Sequence, residues 1–312
     1  MSAPPRQAAV ILGTRASALA RTQTDLVVAL LEAAWPELVC ETRVIATTGD
    51  RTQESGEPLP EIGGKGLFTA ELERALRDGE IDLAVHSLKD LPTEDAHGVV
   101  VGAVTARDDV RDCLVARTGS ALADLAEGAI VGTSSLRRAA QLRSLRPDLE
   151  IRSIRGNVDT RVRKVADGEF DAAVLAASGL RRLGLEHAVT EWLAPETMLP
   201  APGQGALAVQ CRARDQEIRT LIATLDDPVA RAETTAERAF LGALGAGCAA
   251  PVAALAAVST TPRVRLQGLV ASVDGRDVVR VSGEGEPAEI GERLAREALE
   301  AGADRILAAI RG

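Results

Sequence analysis

The sequence predicts an α/β protein that ends in a small α+β domain, and two patterns lead to this fold class. Short β-rich runs alternate with helical segments over most of the chain, whereas residues 252–283 show strand-type alternation alone before a final helix. Repeated βαβ units favour doubly wound parallel sheets with helices on both faces. The length of 312 residues is enough for two or three domains.

The first part of the chain follows the α/β alternation element by element. The strand-like run AAVILG precedes SALARTQTDLVVALLEAAW, which has helical spacing and Ser17 placed as its N-cap. ETRVIAT, GLFTAELERALRDG and IDLAVHS continue as strand, helix and strand, and Gly79 is suited to end that helix. Four further β-rich runs are interspersed with the helical segments SSLRRAAQLRSLR and NVDTRVRKVADG: CLVAR, AIVGT, LEIRSI and DAAVLAA.

The last third of the chain changes pattern. The strand-like ALAVQC follows a turn rich in Pro and Gly, and IRTLIATL and PVARAETTAERAFLGAL have helical spacing. VAALAAV, RVRLQGLVAS and RDVVRVSG then alternate like strands. The final segment EIGERLAREALEAGADRILAAI predicts one long amphipathic helix, so the chain closes as an α+β domain.

Composition and charge exclude several classes of protein. With 46% hydrophobic and 26% charged residues the chain is neither disordered nor fibrous. Its net charge of -9 gives no general attraction to nucleic acid or to an anionic membrane. No run approaches the about 18 apolar residues of a membrane span, and the N-terminal residues show no signal peptide. We therefore expect a cytoplasmic protein with neither nucleic acid nor membrane as a partner.

The four cysteines argue against a metal centre. They lie far apart without a C-x-x-C pair, and the chain has only three histidines, so we expect neither a metal site nor a disulfide framework. Cys40, Cys113 and Cys211 lie within or beside apolar strands, as small buried residues do. Cys248 lies in a loop of glycines and alanines. It is either one more buried thiol or an accessible point for attaching a bulky group.

Arginine accompanies three predicted strand-to-helix turns. GTRAS carries Arg15 and Ser17, GTSSLRR carries Arg137 and Arg138, and IRGNVDTR carries Arg155 and Arg161. Residues 130–164 hold nine basic residues against three acidic ones. Because helix N-termini and guanidinium groups both favour anions, the turns predict a ligand with several carboxylates or phosphates. Solvated helix faces are the alternative interpretation, favoured for Arg143, Arg146 and Arg163.

The loop HSLKDLP follows a predicted strand and contains Lys89 and Asp90. Asp90 either caps a turn before Pro92 while paired with Lys89, or serves as a carboxylate that stabilises a developing cation or moves a proton. His86 is interpreted as a packed residue at the end of the strand.

Two glycine-rich stretches are not nucleotide sites. IGGKG lacks the Walker pattern, and PGQGALA precedes a strand instead of opening a helix.

Seven motifs, in this order and across nearly the whole chain, together resemble one enzyme family. They are GTRAS, GGKGLF, VHSLKDLP, GTSSLRR, IRGNVDTR, LPAPGQGA and the loop that contains Cys248. The chain resembles porphobilinogen deaminase, also called hydroxymethylbilane synthase. The resemblance implies a transferase of tetrapyrrole (haem) biosynthesis that joins four porphobilinogens head to tail into hydroxymethylbilane and releases ammonia each time. It also implies a covalent dipyrromethane cofactor, with Cys248 at the matching position, and a monomer.

The resemblance also implies an architecture. Two doubly wound lobes similar to periplasmic binding proteins are expected, the first from residues 1–105 with 206–223 and the second from residues 111–199. The C-terminal α+β domain, residues 228–312, would then carry the cysteine loop.

The family's functional positions map onto this chain residue by residue. Asp90 matches the catalytic aspartate, and Lys65 and Phe68 match a loop that covers the site. The positions that match cofactor binding are Cys248, Lys89, Asp90, Thr133, Ser135, Arg137, Arg138 and Arg155. Those that match substrate binding are Arg15, Ser17, Arg155, Arg161 and Arg182. Two positions depart from the family: Glu61 stands where many relatives have lysine, and Ala246 replaces one glycine before the cysteine.

Two other functions remain as alternatives. A non-catalytic two-lobed protein that binds anions would need neither Asp90 nor Cys248, because a fold alone does not fix function. A nucleic-acid-binding regulator would use the basic segment, but the acidic remainder of the chain and its 2% aromatic residues argue against it.

Overall fold

A computed structural model describes residues 9–47, 69–247 and 250–311 of the chain. The strands in this part are β1 Val10–Thr14, β2 Cys40–Val44, β3 Leu83–Ser87, β4 Val99–Val104, β5 Asp112–Ala116, β6 Ile130–Gly132, β7 Glu150–Arg152, β8 Ala172–Ala176, β9 Glu191–Leu193, β10 Leu207–Arg212, β11 Val252–Thr260, β12 Arg263–Ala271 and β13 Val278–Gly285. The α-helices are α1 Ala18–Ala34, α2 Ala70–Arg77, α3 Leu136–Leu145, α4 Val158–Ala166, α5 Ala177–Arg182, α6 Gln216–Ile222, α7 Pro228–Ala243, α8 Pro287–Ala298 and α9 Asp304–Arg311.

The chain divides into two compact units, of which the first comprises Met1–Arg107 with Ala206–Arg231. Its sheet has the order β2-β1-β3-β10-β4, with β1 parallel to β2 and β3 and with β10 antiparallel to β3 and β4. Leu12 packs with Val27 and Leu31 of α1 on one face, whereas Ile11 packs against the cluster of α2 on the other. Because neighbouring strand residues point to opposite faces, this sheet is covered on both sides.

The second unit comprises Asp108–Gly205 with Ala232–Gly312 and contains two sheets. The five-stranded sheet has the order β7-β6-β8-β5-β9, with β6 parallel to β7 and β8 and with β5 antiparallel to β8 and β9. Leu114 and Leu142 of α3 share one core cluster, whereas Cys113 and Val165 of α4 share the cluster on the opposite face. This sheet is therefore doubly wound as well.

The other sheet of the second unit is the antiparallel meander β11-β12-β13. Phe240 of α7 and Leu294 of α8 are completely buried against its residue Leu266. A small apolar cluster connects the meander to the rest of the second unit. In it, Ala253 of β11 and Leu269 of β12 pack with Ala140 of α3 and with Leu199. The C-terminal segment therefore has its own core and is anchored within the second unit.

The predicted fold class is confirmed, with three differences. The sheets are mixed and not wholly parallel, because β10 and β5 run antiparallel to their neighbours. The final helix is two helices, α8 and α9, joined by a π-helical turn in which Gly302 has φ 108°. Two strands, β4 and β9, and one helix, α5, lie in segments for which no such element was predicted. The three domain boundaries stay a prediction.

No helix in the described ranges has both the length and the hydropathy to span a membrane.

Candidate anion-binding and catalytic site

In the first unit, two of the predicted site segments follow neighbouring parallel strands. β1 and β3 are paired, so residues 14–17 and the loop after Ser87 emerge at the same edge of the sheet. Ser17 caps α1 as predicted, and its Oγ accepts a hydrogen bond from the amide of Ala20 at 3.3 Å. Gln23 of α1 donates a hydrogen bond to the Oγ of Ser87 at 2.8 Å. The start of α1, which follows Arg15, is thereby fixed to the end of β3.

Asp90 ends a short 3-10 turn, Leu88–Asp90, directly after β3. The backbone closes this turn, because the amide of Leu91 donates to the carbonyl of Leu88 at 3.1 Å. The Asp90 carboxylate is exposed and makes neither a hydrogen bond nor an ion pair with any residue that the structure describes. In this geometry Asp90 does not cap the turn, and its carboxylate is available to a ligand.

His86 is buried at the same end of β3, as predicted for a packed residue. Burial lowers the pKa of His86 from 6.5 to about 4. The charge of Arg15 adds to this shift. His86 is therefore uncharged at neutral pH. It adds no positive charge to that of Arg15 at this edge of the sheet.

In the second unit, three parallel strands deliver the other predicted segments to one sheet edge. β6 lies between β7 and β8. A turn leads from β6 and from β7 into the next helix, and α5 follows β8 directly. The amide of the buried Thr133 donates to the carbonyl of Arg152 at 2.9 Å, and the Oγ of Ser134 donates to the carbonyl of Ile154 at 2.6 Å. Ser135 caps α3, and its Oγ accepts from the amide of Arg138 at 3.5 Å. The turns after β6 and β7 are thus bonded to each other.

Arg137 and Arg138, in the first turn of α3, point into the unit and share the carboxylate of Asp112 at the start of β5. Arg137 Nη1 lies 2.7 Å from Asp112 Oδ2, and Arg138 Nη2 lies 2.7 Å from Asp112 Oδ1. Arg137 Nη1 also donates to the carbonyl of Leu199 at 2.8 Å, and Arg138 Nη1 donates to that of Val174 at 3.1 Å. Asp112 is completely buried, and the arginines are 4% and 6% exposed.

This buried cluster keeps a net positive charge. Burial would raise the pKa of Asp112, but the charges of Arg137 and Arg138, and the hydrogen bonds from them, hold it well below its usual range. One carboxylate therefore faces two guanidinium groups. The Nε and Nη2 groups of Arg137 have no hydrogen-bond partner in the part of the chain that the structure describes. Since the Nε and Nη2 edge of a guanidinium binds carboxylates in bidentate fashion, it offers two N–H donors to an anion.

The remaining predicted arginines differ in their surroundings. Arg155 is exposed in the turn after β7, and Arg161 in the first turn of α4 is half-buried with its Nε donating to the carbonyl of Gly156 at 2.8 Å. The side chain of Arg182 is only 7% exposed. Its Nη2 donates to the carbonyl of Gly205 at 2.6 Å, and its Nε lies 3.6 Å from Asp108 Oδ2. Arg182 is therefore held by the chain itself.

Four positions named from the sequence lie outside the described residues: Cys248, Lys65, Phe68 and Glu61. The other three cysteines are buried or half-buried, as predicted. Burial raises the pKa of the Cys40 and Cys211 thiols to about 11 and that of Cys113 to about 12. Because the thiolate is the nucleophile, none of these three is suited to covalent attachment at neutral pH.

Sequence reasoning missed the acidic and amide partners of the arginine pair. Gln204 Nε2 donates to Asp112 Oδ1 at 2.9 Å, and the buried Glu237 of α7 accepts from the amides of Gly203 and Ala256 at 2.7 and 2.8 Å. The PGQGALA stretch therefore serves as a buried connector. In the sequence, the glycines of PGQGALA were the signal that pointed to these contacts, because glycine allows the backbone to approach other groups closely.

Each unit, taken by itself, presents arginine and hydroxyl side chains where parallel strands end, and the first also presents an unpaired carboxylate. These features define an α/β protein that binds an acidic ligand at the carboxyl edges of its sheets.

Comparison with known proteins identifies the family. Residues 10–220 match the model for "Porphobilinogen deaminase, dipyromethane cofactor binding domain", and residues 231–300 match that for "Porphobilinogen deaminase, C-terminal domain". The porphobilinogen deaminase of Roseiflexus castenholzii is 50% identical over 95% of this chain and 98% of its own length. That of Thermus thermophilus is 47% identical over 97% and 99%. A solved nutrient-binding protein from Burkholderia cenocepacia, bound to methionine, covers 70% of this chain and 92% of its own at 13% identity, with a TM-score of 0.43.

The chain belongs to the porphobilinogen deaminase family. It is a transferase of tetrapyrrole biosynthesis that polymerises porphobilinogen into hydroxymethylbilane with a dipyrromethane cofactor, as the sequence motifs predicted.

Proposed function

We propose that this chain carries out the polymerisation with Asp90 as its catalytic carboxylate and with the dipyrromethane joined through a thioether to Cys248. Lys89, Thr133, Ser135, Arg137, Arg138 and Arg155 bind the cofactor together with Asp90. Arg15, Ser17, Arg155, Arg161 and Arg182 bind the carboxylates of the substrate and the growing chain, and Lys65 and Phe68 belong to a covering loop. The protein acts as a monomer in the cytoplasm, with neither nucleic acid nor membrane as a partner.

The observation that carries this proposal is the open edge of Arg137 in a buried cluster of net positive charge. Each porphobilinogen contributes an acetate and a propionate group, so the ligand is rich in carboxylates. A buried guanidinium that has lost its water gains more from a carboxylate partner than an exposed one does. The donor set therefore fits the dipyrromethane, which supplies the pyrrole carbon to which the first porphobilinogen is joined.

Asp90 suits the reacting end of the chain. In each cycle a carbon–carbon bond forms, the aminomethyl carbon–nitrogen bond breaks, and the displaced pyrrole proton leaves with the nitrogen as ammonia. Loss of that nitrogen creates positive charge on the substrate. The unpaired Asp90 carboxylate stabilises this charge and accepts hydrogen bonds from pyrrole N–H groups.

The attachment at Cys248 is supported by the chemistry of the other thiols. Cys40, Cys113 and Cys211 all have raised pKa values because they are buried, so at neutral pH they are protonated and poor nucleophiles. In the sequence, Cys248 follows Gly245, Ala246 and Gly247, and residues this small favour the approach of a bulky group to the thiol.

The substitution Asp90→Asn tests the catalytic assignment. We expect the variant to fold and to keep its cofactor, seen by the colour reaction with Ehrlich's reagent, while porphobilinogen turnover falls by about 100-fold or more. Asp95→Asn is the matched control, because Asp95 is another exposed carboxylate in the same loop. Turnover in Asp90→Asn within a few-fold of that in Asp95→Asn would remove Asp90 from the mechanism.

A further inference from the structure

We propose that Asp112 is a positioning residue for cofactor binding: it fixes the guanidinium groups of Arg137 and Arg138 so that one edge of Arg137 stays open to a cofactor carboxylate. This inference rests on the proposed function of the arginine pair. The Asp112 carboxylate is completely buried and accepts hydrogen bonds from Arg137, Arg138 and Gln204.

The hydrogen bonds show which edge of each guanidinium Asp112 occupies. Arg138 presents Nε and Nη2 to Asp112 Oδ1, at 3.2 and 2.7 Å, so its bidentate edge is filled. Arg137 presents only Nη1, which Asp112 Oδ2 and the carbonyl of Leu199 hold at 2.7 and 2.8 Å. The Nε and Nη2 groups of Arg137 are therefore directed away from Asp112. The two adjacent arginines therefore differ: the bidentate edge of Arg138 is occupied by Asp112, whereas that of Arg137 remains open to a ligand.

Charge balance explains why a carboxylate is needed at this position. Two guanidinium groups that are both more than nine-tenths buried repel each other, and the repulsion is strong where water is excluded. With Asp112 between them, the cluster holds one surplus positive charge instead of two. A surplus of one charge attracts an anionic ligand without forcing the arginines apart.

The same network reaches both flanks of the loop that contains Cys248. Gln204 bonds to Asp112, and the neighbouring Gly203 bonds to Glu237. Glu237 lies on α7, which ends shortly before that loop, and it also bonds to the amide of Ala256 in β11, which begins shortly after it. A chain of hydrogen bonds therefore connects Asp112, and through it the two arginines, to the segments on both sides of the attachment position. Supporting residues of this kind fix the geometry of binding groups without touching the ligand.

The test compares Asp112→Asn with Asp82→Asn in the full-length protein. Asp82 is the matched control because it is a buried carboxylate paired with an arginine, Arg212, at 2.6 Å, within the first unit. The readout is the fraction of molecules that carry the dipyrromethane mass increment, measured by intact mass before and after incubation with porphobilinogen. Circular dichroism establishes that each variant is folded. We expect the loaded fraction of Asp112→Asn to fall at least fivefold below that of Asp82→Asn.

Equal loading of the two variants would overturn the proposal. High loading in both would show that Asp112 is not needed for cofactor binding, and low loading in both would reflect only the loss of a buried ion pair. If Asp112→Asn does not fold, Gln204→Ala decides, since it removes the hydrogen bond to Asp112, together with those to the Val110 and Arg111 carbonyls, and keeps the negative charge of Asp112. Loading of Gln204→Ala below wild type supports the proposal, and wild-type loading overturns it. A wild-type protein without the increment after incubation would contradict the proposed function itself, and this inference with it.

Discussion

His86 and Asp112 show that burial has opposite outcomes for two ionisable side chains at the arginine-bearing sheet edges. His86 gains no acidic partner near Arg15, so burial keeps it uncharged and its pKa falls to about 4. Asp112 is more deeply enclosed, yet Arg137 and Arg138 keep it ionised. Local charge, more than burial, therefore decides which groups are charged at these edges.

The lowered pKa of His86 predicts a loss of stability in mild acid. Between pH 6.5 and pH 4 the unfolded chain binds a proton at this histidine and the folded chain does not, so the free energy of unfolding decreases as pH falls. From pH 7 to pH 5 the His86 contribution drops by about 2 kcal/mol. Denaturant unfolding of wild type and of His86→Gln across this range measures it. We expect a weaker pH dependence in the variant.

His97→Gln provides the comparison for that experiment, since His97 is exposed in the same unit. It should keep the pH dependence of the wild type. The explanation fails if wild type and His86→Gln lose stability equally between pH 7 and pH 5.

The arginines of the site were predictable from sequence, whereas their partners were not. Arg15, Arg137, Arg138, Arg155 and Arg161 lie in short motifs that follow a predicted strand, and a local pattern is enough to find them, whereas Arg182 was named only through the family resemblance. Asp112 lies 25 residues before Arg137 and 92 before Gln204, and only the tertiary fold brings the three together. Since Asp112 belongs to no local motif, only the structure reveals its role.

At the scale of elements, the helix pair α7 and α8 depends on a close approach at Gly291. A Cβ atom at this position would meet the Ala236 carbonyl oxygen and the Ala239 Cβ, the latter at 2.7 Å. The obstacles belong to the facing helix, so relief requires the two helices to separate.

Gly291→Ala should therefore destabilise the second unit. The gain in helix propensity is about 1 kcal/mol, but overpacking against the backbone costs more, and we expect a net loss of about 1 to 2 kcal/mol in the free energy of unfolding. Denaturant unfolding followed by far-UV circular dichroism measures this loss.

Gly283→Ala is the matched control in the same core. Its Cβ would meet the Nη2 end of Arg293 at 2.8 Å and the Cδ1 end of Ile290 at 3.2 Å, and both obstacles are side-chain ends that can move aside. We expect a change within about 0.5 kcal/mol. Equal losses for the two substitutions would show that helix contact at Gly291 is not the cause.

Hydrophobic periodicity predicted most helices and strands, but it missed β4, β9 and α5, and it left two further features undetermined. The apolar spacing of EIGERLAREALEAGADRILAAI continues across Gly302, so the pattern does not show that the backbone there leaves the helical region. The strand β10 pairs with β3 and β4 in antiparallel orientation, and alternation along a strand carries no information on its direction. Both features depend on tertiary packing.

At the scale of the whole molecule, an acidic protein processes an acidic ligand. The net charge of -9 opposes the approach of a carboxylate-rich chain, so binding depends on local positive charge. The buried pair Arg137 and Arg138 provides such charge where water cannot screen it. In the proposed function a covalent tether adds to this, because a primer that cannot dissociate would need only to be oriented by the arginines.

The intact mass of the purified protein tests this account most directly. We expect the wild type to carry the mass increment of a dipyrromethane, Cys40→Ser to keep it, and Cys248→Ser to lose both the increment and turnover of porphobilinogen. A Cys248→Ser protein that still carries the increment would contradict the central claim that the acidic primer is tethered at this loop and held by the arginines.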